Sequence, residues 1–127
     1  MGIIIYPPIY IAIEEGYEEI LRLLLKHLKT DVNLLLKDDI NPLYITAQNG
    51  YIKATKALLD HKETNINAYT KGSSPLYVAT ENNCIEIVRM LVRFPNVDIN
   101  LHKNQSTSPL YIAAQNGYES IVKILLQ

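Results

Sequence analysis

The chain has 127 residues, enough for one domain, and its 48% hydrophobic content excludes a disordered polar polymer. A net charge of -1, from 12 basic and 13 acidic residues, gives no electrostatic support for nucleic-acid binding. A single cysteine cannot form an internal disulfide, and no apolar run approaches the ~20 residues that span a bilayer. The expectation is a protein of a reducing compartment, cytoplasm or nucleus, with no membrane and no nucleic acid among its partners.

Taken in order, the chain opens on an apolar stretch, residues 1–13, that has no basic n-region, contains Pro7-Pro8 and runs into Glu14-Glu15. That argues against a signal peptide, and Tyr6 stands where a myristoylation signal needs Ser or Thr. A short helix should start at Pro8, since proline is favoured at the first helical position, and stop at Gly16, where a left-handed backbone is cheap. A second helix follows with Ile20, Leu21, Leu23, Leu24 and Leu25 on a broad apolar stripe. After the linker Lys26 to Thr30 comes the turn Asp31-Val32-Asn33, then Leu34-Leu35-Leu36-Lys37-Asp38-Asp39, a loop with three leucines and an aspartate where a turn glycine is usual.

The same order then recurs. Asn41 is a good N-cap for a helix from Pro42 to Gly50, followed by Ala54, Ala57, Leu58 and Leu59, the linker Asp60 to Thr64 and the turn Asn65-Ile66-Asn67. Thr70-Lys71-Gly72-Ser73 carries ordinary turn chemistry. Ser74 caps a helix from Pro75 to Asn83, Asn being the next most tolerant residue for a left-handed conformation. It is followed by Ile87, Val88, Met90, Leu91 and Val92, the linker Arg93 to Val97 and the turn Asp98-Ile99-Asn100. A last turn, Lys103-Asn104-Gln105-Ser106, precedes Ser108, Pro109 and Gly117, and then Ile121, Val122, Ile124, Leu125 and Leu126.

The prolines at 8, 42, 75 and 109 are spaced by 34, 33 and 34, and Gly16, Gly50, Asn83 and Gly117 each follow eight residues later. A fixed period of this size signals a stacked array of supersecondary units. Around each proline the text is Pro-Ile-Tyr-Ile-Ala, Pro-Leu-Tyr-Ile-Thr, Pro-Leu-Tyr-Val-Ala and Pro-Leu-Tyr-Ile-Ala. With the glycine, the Ile/Val-rich second helix and the closing Asp-Val-Asn turn, this resembles the ankyrin repeat, whose signature is T-P-L-H-x-A, over essentially the whole length. Two positions depart from it. Tyrosine replaces histidine at 10, 44, 77 and 111, and Pro7, Asn41, Ser74 and Ser108 stand before the prolines.

The resemblance implies an all-α solenoid, a single domain over residues 1–127, with units at about 4–37, 38–70, 71–104 and 105–127 joined by β-turn fingers. It also implies a non-catalytic protein that binds a partner protein through its concave face. The residues that the resemblance places there are Glu14, Glu15, Gln48, Asn49, Glu81, Asn82, Gln115 and Asn116 at the ends of the first helices. The finger tips add Lys37, Asp38 and Ile40, then Thr70, Lys71 and Ser73, then Asn104, Gln105 and Thr107. The alternative is a structural spacer within a larger scaffold. The apolar ends, Ile3-Ile4-Ile5-Tyr6 and Leu125-Leu126, suit a piece of a longer array or self-association end to end.

No catalytic constellation emerges. His27 and His61 share a repeat slot that stacking would set roughly 10 Å apart, too far for one metal ion, and His102 lies in a finger. No metal-ligand spacing, phosphate-cradling glycine motif or activated nucleophile is present, so no cofactor and no enzyme activity are expected. Cys84 occupies the slot of Tyr17, Tyr51 and Tyr118, which points to packing between helices. Arg22, Lys56, Arg89 and Lys123 would align as a basic stripe. Glu18 or Glu19, Glu86 and Glu119 stand at helical spacing to pair with three of them, leaving Lys56 as the exception. Seven of the nine tyrosines sit in repeat slots, and Tyr6 and Tyr69 are the freer ones. Leu25, Leu59 and Val92 stand eight residues before Asn33, Asn67 and Asn100, a pattern similar to the one some ankyrin proteins present to an asparagine hydroxylase, although the turns themselves need these asparagines.

Overall fold

A computed structural model describes residues 6–27, 31–101 and 107–127, with nothing said of the Lys37 side chain. Ile3, Ile4, Ile5, His102, Asn104, Gln105 and the side chain of Lys37 therefore lie outside the described residues. The helices are α1 (Pro8–Glu14), α2 (Glu18–Leu25), α3 (Pro42–Asn49), α4 (Ile52–Leu59), α5 (Pro75–Glu81), α6 (Ile85–Val92), α7 (Pro109–Gln115) and α8 (Glu119–Leu125). A short 3-10 turn, Lys37–Asp39, lies between α2 and α3.

Each first helix starts and stops by the expected local chemistry. Asn41 Oδ1, Ser74 Oγ and Ser108 Oγ accept from the backbone N–H groups of Tyr44, Tyr77 and Tyr111 at 2.9, 3.1 and 3.0 Å, satisfying donors that a helix leaves open. Pro7, in the same slot, offers no side-chain cap. At the far end Gly16, Gly50, Asn83 and Gly117 all have positive φ, between 56° and 72°. The N–H of the next residue then reaches back to the carbonyl of Ala12, Thr46, Ala79 or Ala113 at 2.8–2.9 Å, the Schellman closure. This turn sends the chain straight into the second helix.

The helices are seven or eight residues long, too short to persist alone. Packing supplies what propensity cannot. Within each unit the two helices pack on each other, and between units α1, α3, α5 and α7 form one row while α2, α4, α6 and α8 form a second. Ile13, Leu21, Leu43, Leu58, Leu76, Ile87, Leu91 and Ile121 are almost wholly buried along this double row. The linkers are tied across units by asparagine. Asn33 donates to Glu63 O at 2.7 Å and accepts from Asn65 N at 2.9 Å, and Asn67 repeats this on Asn96 O and Asp98 N, both at 2.7 Å. Each asparagine thus satisfies two backbone groups of the following unit.

The two described fingers differ in length, which explains the odd first loop. In the second, Thr70 and Ser73 exchange both backbone hydrogen bonds around Lys71 and Gly72, each at positive φ, the mirror-image turn that suits a tight hairpin. In the first, Leu36 N bonds Ile40 O, so the tip has one residue more, and Asp38 and Asp39 both take positive φ, 64° and 58°. Aspartate is among the few non-glycine residues that tolerate this. Apart from the isolated Thr70–Ser73 bridge, no strand pairing occurs among the described residues.

Candidate binding surface

The residues expected on the binding edge divide into two groups. Glu14, Glu15, Gln48, Asn49, Gln115 and Asn116 are exposed and Glu81 is half-buried, all at the C-terminal ends of α1, α3, α5 and α7. These helices form one row, so their ends line up along one edge. Asp38 and Lys71 are exposed at the finger tips, while Ile40 and Thr107 are half-buried.

Other residues of the set are structural. Thr70 and Ser73 are 6% and 2% exposed, and Thr70 Oγ1 accepts from Asn41 Nδ2 at 2.5 Å, so neither presents a side chain to a partner. The tight hairpin folds them inward. Thr107 Oγ1 lies 3.4 Å from the Tyr77 hydroxyl, which donates to it. Asn82 is exposed, yet its Nδ2 donates to Gln48 O at 3.2 Å and ties α5 to α3.

At the first unit the edge is acidic. Tyr10 stacks on Tyr6 with ring centroids 4.2 Å apart. Burial, then the charge of Glu14, then Tyr6 push the Tyr10 phenol above its usual range, with a hydrogen bond to Glu14 and the charge of Asp38 adding to it. Leu35 and Tyr69, at the bases of two fingers, are both substantially exposed.

The opposite row carries the basic stripe, and its charges are matched within their own helices. Arg22 Nε bonds Glu19 at 3.0 Å, Arg89 meets Glu86 at 3.5 Å and Lys123 meets Glu119 at 3.1 Å. Lys56, expected to be the exception because its neighbour on the helix is Lys53, pairs with Asp60 one turn on at 3.1 Å. The Arg22 hydrogen bond lowers the Glu19 carboxyl below its ordinary range, and Glu19 raises Arg22 in turn. Between α2 and α4 these side chains line an open groove of about 620 Å³ with Lys26, Lys53 and His61. Exposed pairs of this kind contribute little to stability, because water and salt screen them.

Cys84 is half-buried at the start of α6, and its sulfur lies 3.7 Å from where a Cβ on Gly50 would stand. Burial raises its thiol above the ordinary range, as suits a packing group. The sequence did not reveal that Tyr51 does the same one unit earlier, its hydroxyl 3.2 Å from the place of a Cβ on Gly16. A Cβ at Gly16 would crowd that ring as well as strain a backbone at φ 72°. Among the described residues, no group of three His, Cys, Asp or Glu side chains could hold a metal ion, and no helix is long and apolar enough to cross a membrane.

Comparison with curated individual proteins returns no match. A family model described as ankyrin repeats (3 copies) matches residues 9–103 and again 67–127. Its two matches together run across nearly all of the four helix pairs stacked in two rows, and the chain belongs to the ankyrin-repeat family.

Proposed function

We propose that the chain is a non-catalytic protein-interaction module that binds a partner protein along the edge formed by the ends of α1, α3, α5 and α7 and the finger tips. The observation that carries this is a division of labour among polar residues. Asn33, Asn41, Asn67, Ser74 and Ser108 are spent on caps and cross-unit ties. Gln48, Asn49, Gln115 and Asn116 are exposed at aligned positions, where the fold asks nothing of their amides. Ankyrin repeats generally serve protein-protein interaction, and the amide-rich edge with an acidic first unit suits a polar or basic partner surface. Its free amides supply both donors and acceptors. The single, half-buried thiol fits a reducing compartment, cytoplasm or nucleus.

The test is a capture experiment with three forms of the chain: the native one, a Gln48→Ala/Gln115→Ala double variant and a Lys56→Ala/Lys123→Ala control on the opposite row. Proteins held by the native chain and the control but lost from the amide variant, at unchanged melting temperature, support the reading. Loss confined to the control moves the surface to the other row.

A second reading rests on the ends of the stack, where Ile20, Leu23, Tyr111 and Leu126 are exposed apolar residues. They suit association through the end faces, as in a spacer built into a longer stack of repeats. On that reading only core substitutions such as Leu91→Asp disturb function, through unfolding.

A further inference from the structure

The two end faces expose the two halves of the junction that recurs inside the stack. Tyr111 is 54% exposed, whereas Tyr44 and Tyr77 in its slot are 7% and 2% exposed, because each of those is covered by the following unit. At the other end Ile20 is 49% exposed, whereas Ile87 and Ile121 in its slot are fully covered by the preceding unit. Beside Ile20 an apolar hollow of about 790 Å³ is lined by Pro7, Pro8, Leu23, Leu24 and Leu34.

We infer that a second copy of this chain stacks head to tail, its α1–α2 face on the α7–α8 face of the first, in the register of the internal junctions. This rests on the reading that the end faces associate, and adds its direction and contacts. The register follows from one recurring fit. The Tyr51 hydroxyl lies over Gly16 and the Cys84 sulfur over Gly50, while the Tyr118 hydroxyl donates to Glu81 O at 3.4 Å. Gly117 has nothing within 4 Å of its Cβ direction, and Tyr17, the residue of the matching slot, is 50% exposed.

Tyr17 of a second copy therefore covers Gly117, with its hydroxyl directed at the carbonyl of Gln115, the slot of Glu81. A second tie falls in the same register. Asn33 and Asn67 each accept from the backbone N–H of Asn65 and Asp98 one unit on, so Asn100 accepts from Asp31 of the second copy. A junction that uses different faces on the two copies does not close, so it builds open chains.

The experiment is light scattering on the full chain over a concentration series, with Leu23→Arg to block the head, Tyr111→Glu to block the tail, and Tyr17→Ala to test the register. All three positions are exposed, and melting by circular dichroism checks that the variants stay folded. The native chain should rise with concentration past twice its 14.4 kDa. Each blocked variant alone should remain at 14.4 kDa, and their equimolar mixture should form a species of twice that mass and nothing larger. Tyr17→Ala should weaken association about tenfold, the loss of one buried aromatic contact. A native chain that stays at single mass throughout overturns the end-face reading itself. Association that survives in either blocked variant alone overturns the head-to-tail direction, and association unchanged in Tyr17→Ala overturns the register.

Discussion

Among the described residues, Thr55 is a fully buried core side chain whose chemistry is at odds with its surroundings. It lies in α4 at 0% exposure, and its hydroxyl has no hydrogen-bond partner among the described residues. The same slot holds Leu21, Val88 and Val122 in the other units, so the surroundings are built for an apolar group. Thr55→Val keeps the branched shape and removes the orphaned hydroxyl. An unsatisfied buried hydroxyl costs about 1–3 kcal/mol, and the methyl that replaces it gains about 0.8 kcal/mol of transfer free energy. After partial relaxation the variant should be more stable by about 1–2 kcal/mol, which for a domain of this size raises Tm by roughly 3–8 °C. Urea denaturation is the assay: the midpoint should move up with the slope unchanged, since the area exposed on unfolding is the same. Thr80→Val is the internal contrast. Its hydroxyl bonds Leu76 O at 2.8 Å, so the same change there removes a satisfied bond and should give no comparable gain. A Thr55→Val midpoint equal to or below that of the native chain would refute the reasoning and mean that a buried water satisfies the hydroxyl.

Three further outcomes are expected. Asn67→Ala removes two cross-unit hydrogen bonds and should lower stability by about 1–3 kcal/mol, whereas Asn100→Ala, at the last linker, should be near neutral in the dilute monomer; thermal melts of both check the pair. Asp39→Gly relieves a left-handed aspartate at φ 58° and should stabilise by up to about 1 kcal/mol, the αL penalty less the entropy that glycine adds to the unfolded chain; an unchanged urea midpoint argues against strain at that tip. Tyr10 has its phenol raised in the folded state, so the native chain holds that proton more tightly than the unfolded one. Its stabilising effect is complete below the unfolded phenol range and is lost as pH rises through the raised folded value. Melts at alkaline pH should therefore fall more steeply for the native chain than for Tyr10→Phe.

The fold was legible because each repeat writes its own punctuation. Proline after a capping residue starts a helix, and a residue eight positions on takes positive φ, whether glycine or Asn83; both are local rules that need no partner. The exposure of the proposed edge was half legible for the same reason. Helix-end positions such as Gln48 and Gln115 follow from the period, and they are exposed. Thr70 and Ser73 were misplaced because a finger's tip and its base have the same polar composition. Only the hairpin's register, set by Lys71 and Gly72 at positive φ, turns Thr70 toward Asn41. Asn82 misled differently, since an exposed amide and an amide bonded to a neighbouring unit's carbonyl look alike in one sequence.

This asymmetry has a consequence for how the stack is held together. Residues that act within a unit are readable from the chain, while those that act between units are readable only where two copies of the repeat are compared at the same slot. Tyr51, Cys84 and Tyr118 show the point: two kinds of side chain share one slot, Tyr51 and Cys84 lying over Gly16 and Gly50 and Tyr118 donating to the Glu81 carbonyl. The junction is thus specified by pairs of residues about 35 positions apart, and Tyr17 and Gly117 are the half-pairs left over. A one-dimensional array whose units are individually unstable draws its cohesion from such junctions. The prediction that follows is graded: Tyr51→Ala and Tyr118→Ala should each lower Tm of the monomer, because their rings are packed against the core. Tyr17→Ala should leave it unchanged, and equal losses at all three would show that the slot stabilises its own helix and not the junction.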